Sequence, residues 1–500
     1  MKRRSIKIIA VFLAILLGLV SAVALALDVF MANAEGAQPD GYQMNIELLD
    51  ELEAIRVEQT VHYTNRTGQA LGAVMFNLYA NAYRRQVTTP FELESMQSAY
   101  PEGFTPGGVD FFLIEVDGKA ADWGVQGDSE AFLRVACDLE PGQVAQFRFG
   151  YEVLIPRCRG IFGVTELGWQ LNLFYPIVAP WDDTLKEFSL AQISPIGRNV
   201  YADPANYQAT VYVPNGCQLA SVGQIEKQAH SEQLDAWTIT AEGVRELPLF
   251  VSRNYLHHEQ KSQHVMLHSY MQDGGNANLA LNYGLDALDI YAELLGEPAT
   301  STISIVQMDA VQRSASTSGV VALNADMMGW DQRDEMEYQI VFNLAKQYFG
   351  EVVGYHPARE PWLGESIPAY MALQYYQRKY GRDRFLTELN ARVLPALKLT
   401  MPGGVKVDSE VAQFASVSEY ETVMHERGAG SLYELSVTTG ESTLLNALKL
   451  YLTQYRGQQA SLPDFSAALN QASGRELDYL VLEMLQNIED YIAPNTEWYE

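Results

Sequence analysis

The spacing of apolar residues changes once along the chain, near residue 260, and this change limits the folds that the chain can adopt. Between residues 42 and 255 apolar and polar side chains alternate, as they do from Ile55 to Tyr63, which predicts half-buried β-strands. After residue 260 apolar side chains recur at helical spacing, as they do from Ala277 to Leu295. The pattern predicts a multidomain chain, with an antiparallel β domain followed by a mostly helical α+β part.

Shorter runs with alternating or helical spacing predict further strands and helices. In the first part Asp117-Gly118 predicts a hairpin turn. The strands that we expect there cover residues 112–116, 144–155 and 207–213. In the second part we expect strands at residues 265–270, 302–306 and 319–323, and helices at 442–455, 463–472 and 475–492.

The N-terminal end of the chain predicts its compartment. Four basic residues, Lys2, Arg3, Arg4 and Lys7, precede an uncharged run of 20 residues from Ile8 to Leu27, which is long enough to cross a bilayer as one helix. The basic residues place this end in the cytoplasm and the rest of the chain outside. We favour an uncleaved signal anchor over residues 1–27, because the apolar core of a signal peptide is usually shorter.

Cleavage of the N-terminal segment is the alternative. Small residues at Ala24-Leu25-Ala26 and at Ala32-Asn33-Ala34 offer sites to a signal peptidase, which would release the protein in secreted form. In both cases the polar, turn-rich residues 28–41 predict a linker, and the folded part lies outside the cytoplasm.

The charge of the chain excludes two classes of protein. The 34 Lys and Arg residues face 62 Asp and Glu residues, so the formal net charge at pH 7 is −28. This excess argues against a nucleic-acid partner and against attachment to anionic lipid through a basic face. Without the four basic N-terminal residues, 30 basic and 62 acidic residues remain, and the exported part carries about −32.

The cysteines do not form a disulfide scaffold. Cys137, Cys158 and Cys217 are an odd set that is too small for such a framework, and their spacing is not that of a metal site. We interpret them as small buried apolar residues, and a Cys137–Cys158 disulfide is left open.

One group of histidines needs a separate interpretation. His257, His258, Glu259, His264 and His268 are close in sequence. We interpret them as exposed polar side chains that do not converge on a metal ion.

The segment from Asp331 to Tyr370 contains two short motifs, Gln347-Tyr348-Phe349-Gly350 and Pro361-Trp362-Leu363-Gly364-Glu365. It resembles the stretch around the zinc site of the M1 metallopeptidases (gluzincin aminopeptidases), especially the membrane-anchored bacterial members. In that family a helix carries H-E-x-x-H, followed by Gln, two aromatic residues and Gly, and a later Glu lies within W-L-D-E. The spacing from position 346 to Glu365 is that of the family.

The resemblance implies that the zinc ligands are replaced. Phe342 and Lys346 stand at the two His positions, Asn343 stands at the position of the general-base Glu, and Glu365 is the one ligand position that is retained. Phe342 has no donor atom, and Asn343 cannot take a proton from water. We therefore expect no catalytic residue, no metal and no cofactor at these positions.

Two further positions differ from the family. Within RSASTS, Ser316 stands where the family has the Glu of G-x-M-E-N, which grips the substrate amino terminus. His425 stands where the family has the tyrosine that stabilises the tetrahedral intermediate. The resemblance thus implies the loss of substrate anchoring and of oxyanion stabilisation.

The resemblance also implies a domain organisation, and it covers about residues 42–492. Tyr175-Pro176 and the run Asp203–Tyr207, followed by a strand that ends at Pro214, are similar to the amino-terminal saddle of M1 proteins. The implied domains are an antiparallel β saddle domain at 42–255, a thermolysin-like, mostly helical domain at 256–435, and a helical C-terminal region at 436–500.

The missing zinc leaves Glu365 in need of another cation, because a buried carboxylate is stable only when it is paired. We expect an ion pair between Lys346 and Glu365, with Phe342 filling the remaining volume. The alternative is that Lys346 extends into solvent and Glu365 is hydrogen-bonded elsewhere.

These inferences favour a membrane-tethered pseudopeptidase that acts by binding a peptide, a cell-envelope component or a partner protein. One alternative is an active peptidase with zinc or another metal at a non-standard site, with His425 or the region of His257 recruited. The other is a structural subunit of an envelope complex.

Overall fold

The alternating sequence before residue 255 forms β-strands in this computed structural model, which describes residues 40–488 except 50–52, 192, 199, 400 and 402. These strands are β1 (Asp40–Leu49), β2 (Ala54–Thr64), β3 (Leu71–Asn77), β4 (Gly108–Val116), β5 (Lys119–Ala120), β6 (Trp123–Gln126), β7 (Phe132–Leu139), β8 (Val144–Leu154), β9 (Phe162–Thr165), β10 (Gly168–Leu171), β11 (Ile177–Val178), β12 (Trp181–Asp182), β13 (Glu187–Phe188), β14 (Ala205–Pro214), β15 (Gln218–Ala220), β16 (Gln224–Ala229), β17 (Leu234–Val244) and β18 (Leu249–Ser252).

The largest sheet of this β domain joins eight of the described strands in the order β16-β17-β14-β1-β2-β8-β4-β5. Neighbouring strands are antiparallel, except that β1 runs parallel to β14. Every second side chain of β2 is buried against a core that it shares with β3, β7 and β8. The prediction of an antiparallel-rich β domain is confirmed.

A separate five-stranded sheet, named the second sheet, begins the helical part. Its strands are β19 (Leu256–Lys261), β20 (Met266–Met271), β21 (Thr302–Met308), β22 (Ser314–Thr317) and β23 (Val320–Asn324). They lie in the order β19-β20-β21-β23-β22, with parallel pairing in the centre and antiparallel pairing at both edges. Because β22 is an edge strand, one side of its backbone is not paired within the described sheet.

The α-helices of the described residues lie mainly after β20. They are α1 (Met96–Ala99), α2 (Gly274–Leu295), α3 (Arg333–Lys346), α4 (Trp362–Tyr380), α5 (Arg382–Glu388), α6 (Leu394–Leu397), α7 (Val417–Glu421), α8 (Gly428–Thr439), α9 (Glu441–Gln454), α10 (Leu462–Ser473) and α11 (Asp478–Gln486). Two π-helical turns, Leu389–Val393 and Thr422–Arg427, join α5 to α6 and α7 to α8. The prediction of a mostly helical second part is confirmed.

Helix α3 lies at the centre of the helical core. All its residues from Met336 to Lys346 are buried, and it packs against α2, α4 and the edge of the second sheet. Its buried Glu337 accepts hydrogen bonds from the hydroxyls of Tyr375 and Tyr380, both at 2.7 Å. Because its polar residues find partners, the helix can be buried on all sides.

Several sequence predictions have a different outcome. The last described helix covers Asp478–Gln486, so it begins three residues later than the predicted 475–492, and residues 489–492 of that prediction lie outside the described residues. The sequence left a Cys137–Cys158 disulfide open. This disulfide does not form, because none of the three cysteines is in a disulfide. The buried Cys158 thiol instead donates to the Phe162 carbonyl at 3.3 Å.

The predicted anchor over residues 1–27 and nearly all of the linker lie outside the described residues. Among the helices of the described residues, none combines the length and the apolar character that a membrane span needs. The predicted domain boundaries near residues 255 and 435 stay predictions.

The close packing around Gly364 predicts that a larger residue at this position would destabilise the fold. A Cβ at this position of α4 would overlap the ring of the buried Tyr355. We expect Gly364→Ala to lower the free energy of unfolding by about 1–3 kcal/mol, although Ala is the better helix former. The measurement is urea unfolding, with Gly274→Ala as the control, because a Cβ there lies at an ordinary 3.5 Å from the nearest atom. Equal stability of the two variants would contradict the prediction.

Candidate functional site

A cleft of about 470 Å³ opens between the β domain and the helical part. Tyr83, Phe91 and Leu173 line it from the β domain, and α3 and β22 line it from the other side. The cleft brings together all six positions that the sequence singled out, which are Ser316, Phe342, Asn343, Lys346, Glu365 and His425.

The ends of two helices position the charged centre of this cleft. Lys346 is the last residue of α3, and Glu365 lies in the first turn of α4. The carboxylate is favoured there because the N-terminus of a helix carries partial positive charge. Phe342 lies one turn before Lys346, on the same face of α3.

Lys346 and Glu365 form the predicted ion pair. The Lys346 ammonium donates to both Glu365 oxygens, at 2.8 Å to Oε1 and 2.9 Å to Oε2. Lys346 is 9% exposed and Glu365 is 3% exposed. The alternative, in which Lys346 extends into solvent, is wrong.

His425 completes the contacts of the carboxylate. Its Nε2 donates to Glu365 Oε2 at 2.9 Å, and the π-helical turn Thr422–Arg427 carries it into the cleft. The buried Phe342 ring lies 4.8 Å from the His425 ring, and Lys346 Nζ lies 5.3 Å from the centre of the same phenyl ring. Phe342 therefore packs beside the ion pair and shields it from water.

The surroundings of Glu365 keep its carboxylate ionised. Burial raises its pKa, but the charge of Lys346 and the hydrogen bond from His425 outweigh burial and lower the pKa to about 2. At neutral pH the Glu365 carboxylate is therefore ionised, and both Lys346 and His425 already donate hydrogen bonds to it.

Asn343 and Ser316 tie α3 to the edge strand β22. The Asn343 amide donates to the Gln339 carbonyl at 2.7 Å and to Ser314 Oγ at 2.8 Å. Ser316 Oγ donates to the Asn343 carbonyl at 3.3 Å and accepts from the Gln347 amide at 2.8 Å. Both side chains therefore hold the wall of the cleft together.

The donor set of this cleft does not fit a zinc ion. Zinc needs three donor side chains and an open fourth position, but Phe342 has no donor atom and the protons of Lys346 point at Glu365. Both Glu365 oxygens already accept hydrogen bonds. Within the described residues, three possible ligand side chains meet instead outside the cleft, at His257, Glu259 and His268.

The sequence reasoning did not single out a pair of charged residues, Glu335 and Arg392, that line the cleft. Glu335, in the first turn of α3, accepts from Arg392 at 3.1 Å, and Arg392 lies 3.6 Å from the Tyr338 ring centre. Glu335 lies two turns before Phe342, so helical spacing from the motif was a signal that could have found it.

A second group of charges also lines the cleft, through Arg198 and Glu246. Arg198 forms ion pairs with Glu246, at 3.4 Å, and with Glu351. Burial raises the pKa of Glu246 to about 7, against the charge of Arg198. These residues come from separate parts of the chain, and no local pattern marks them.

Three members of the histidine group lie close together in the structure, and the expectation that they hold no metal ion stays a prediction. His257 Nε2 lies 3.0 Å from His268 Nδ1, and Glu259 Oε2 lies 3.4 Å from the same nitrogen. His264 lies apart from them, 3.7 Å from Glu297. Pairing of β19 with β20 brings the three side chains together, and the sequence analysis did not foresee that pairing.

The architecture is similar to that of solved M1 peptidases. A crystal structure of the M1 zinc metallopeptidase from Deinococcus radiodurans has a TM-score of 0.61 at 16% identity and covers 91% of this chain and 95% of that chain. A mutant of it bound to a Tyr-Ser-Ala substrate has a TM-score of 0.60 at 15% identity, with 90% and 94% covered. The described chain thus has the two-domain M1 peptidase fold.

The sequence agrees with the fold. Residues 299–486 match the peptidase family M1 domain. Aminopeptidases M1-D and M1-C of Oryza sativa subsp. japonica are each 20% identical over 228 residues, which are 43% of this chain and 26% of theirs. The chain is thus similar to M1 aminopeptidases in this part, and its match spans about a quarter of the length of these curated relatives.

The low pKa of Glu365 predicts a loss of stability in acid. Because the folded value of about 2 lies below the ordinary value of 4.5, the carboxylate stabilises the fold above pH 4.5 and loses this effect as the pH falls towards 2. The loss is about 3 kcal/mol. We expect Glu365→Gln to be less stable than the unaltered chain at pH 6, with most of the gap lost by pH 2.5, in urea unfolding.

The exposed Glu94 supplies the control for this measurement. Glu94→Gln should follow the unaltered chain at every pH. A constant gap between Glu365→Gln and the unaltered chain would show that the Lys346–Glu365 pair has no part in acid unfolding.

Proposed function

We propose that this protein is a catalytically inactive M1-like protein whose cleft binds a peptide or an extended segment of an envelope protein. The observation that carries the proposal is the contact of Glu365 with Lys346 and His425, at 2.8–2.9 Å. It supports inactivity because the carboxylate that would bind zinc is neutralised by the chain itself.

The remaining chemistry of the cleft supports the same conclusion. Peptide hydrolysis needs an activated water, a base that takes its proton and a donor for the developing oxyanion. Asn343 is not a base, and its amide is bound to Gln339 and Ser314. His425 is bound to Glu365, so it is not directed at a substrate carbonyl.

The edge strand β22 supports peptide binding. It pairs with β23 on one side, and its residues Ser314–Thr317 line the cleft. An extended peptide can add to such an edge through main-chain hydrogen bonds, with its side chains filling pockets on the wall. The aromatic side chains of Tyr83, Phe91 and Tyr338 supply apolar contact area in the cleft.

Membrane tethering forms the second part of the proposal. It rests on the basic residues before position 8 and on the apolar run at residues 8–27, which would hold the N-terminus in the cytoplasm and the folded part outside. Expression with a C-terminal epitope should give a full-length chain that resists alkaline extraction from membranes and is degraded by protease added to spheroplasts. A shortened, freely soluble chain would contradict the anchor and support cleavage.

Restoring the family motif tests the inactive site. The triple variant Phe342→His, Asn343→Glu and Lys346→His places H-E-x-x-H on α3 opposite Glu365. We expect this variant to bind one more Zn²⁺ per chain than the unaltered protein, because it supplies the missing ligands. The measurement is metal content after dialysis, and the control is the same variant with Glu365→Gln, which should lose the added ion.

The activity assay decides between the proposal and the active alternative. The unaltered full-length chain should not cleave aminoacyl p-nitroanilides above the rate of buffer, with or without added Zn²⁺ or Co²⁺. Cleavage that a chelator abolishes and that Glu365→Gln removes would overturn the proposal. Retention of labelled extended peptides, weakened by bulky substitution of Ser316, would support binding in the cleft.

A further inference from the structure

The strands β19 and β20 place three metal-binding side chains on one face of the second sheet. In their antiparallel register Glu259 lies opposite His268, and His257 lies opposite Tyr270. Because alternate residues of a strand point to the same side, His257, Glu259 and His268 share one face. None of them lines the cleft.

The distances between the three ligand atoms match those around a small metal ion. His257 Nε2, His268 Nδ1 and Glu259 Oε2 are separated by 3.0, 3.4 and 3.9 Å. A tetrahedral ion with bonds of about 2.0–2.2 Å holds its ligand atoms about 3.4 Å apart. A metal at the centre would therefore require shifts of only about 0.5 Å in side chains that remain partly exposed.

We propose that His257, Glu259 and His268 form a binding site for one divalent transition-metal ion of the zinc type, separate from the cleft. Two imidazoles and one carboxylate are ligands that zinc accepts, and three protein ligands leave a fourth position for water. The inference is independent of the proposed function, since no residue is shared between the two sites.

The neighbours of the histidines favour this role. The Tyr270 ring stacks on the His257 ring, with centres 4.5 Å apart and planes 11° apart, and so fixes its orientation. Glu259 brings a negative charge to the same place.

The proposed ion would connect an edge strand to the sheet. Strand β19 has β20 as its one neighbour in the described sheet, and two of the three ligands lie on β19. Binding to the folded state would hold this edge in register and would stabilise the protein in proportion to the logarithm of metal concentration.

Metal titration of the full-length chain tests the site. We expect Co²⁺ to give visible absorption bands of a tetrahedral site and Zn²⁺ to displace it at one equivalent. His268→Gln should weaken Zn²⁺ binding by about tenfold or more, and Glu259→Gln should also weaken it. Zn²⁺ should raise the melting temperature of the unaltered chain and not that of His268→Gln.

Two histidines supply matched controls. His258 lies next to His257 on the same strand but points to the opposite face, towards the start of α2. His258→Gln and His264→Gln should bind Zn²⁺ as the unaltered chain does. Equal binding by His268→Gln and the unaltered chain would overturn the proposal, as would an ion that is lost on Glu365→Gln and kept by His268→Gln.

The stability of the metal-free variant must be known before a loss of metal binding can be assigned to the missing ligand. Without metal, His268→Gln should melt near the temperature of the unaltered chain, because the side chain is partly exposed and Gln is also polar. If it does not, His257→Gln takes its place in the same titration. Absence of one-equivalent binding by the unaltered chain also overturns the proposal.

Discussion

A buried charge that must be neutralised determines the arrangement of the helical part. The carboxylate of Glu365 lies in the first turn of α4, almost completely out of contact with water, where an unpaired anion would cost several kcal/mol. The last residue of α3, Lys346, supplies the cation. The ion pair therefore holds the end of α3 against the start of α4, and these two helix ends form the centre of the cleft.

A second group of buried charges connects this arrangement to the β domain. Arg198 and Glu246 come from the β domain, and Glu351 follows α3, so their ion pairs cross the junction between the two parts. Arg245 adds hydrogen bonds to the carbonyls of Ala202 and Gln458. Removing one member would leave the others charged and buried, so the group resists separation of the two walls of the cleft.

Sequence reasoning succeeded where the physics is local. The alternation of apolar and polar residues predicted β2. Helical spacing and the motif around Gln347 together predicted that Lys346 lies opposite Glu365. It failed where distant segments meet. The parallel pairing of β1 with β14 joins residues far apart in sequence, and the polar strand β19 lacks the apolar alternation that marks a strand. The meeting of His257 with His268 depends on that strand, so it could not be predicted without its register.

The π-helical turn Thr422–Arg427 makes the site sensitive to the length of the chain. A π-helical turn holds one residue more than an α-helical turn, and here it lies between α7 and α8. Deleting a single residue in this turn would rotate the preceding positions by about 100° relative to α8 and turn His425 away from Glu365. The number of residues in this turn, and not only the identity of residue 425, therefore decides whether an imidazole faces the carboxylate.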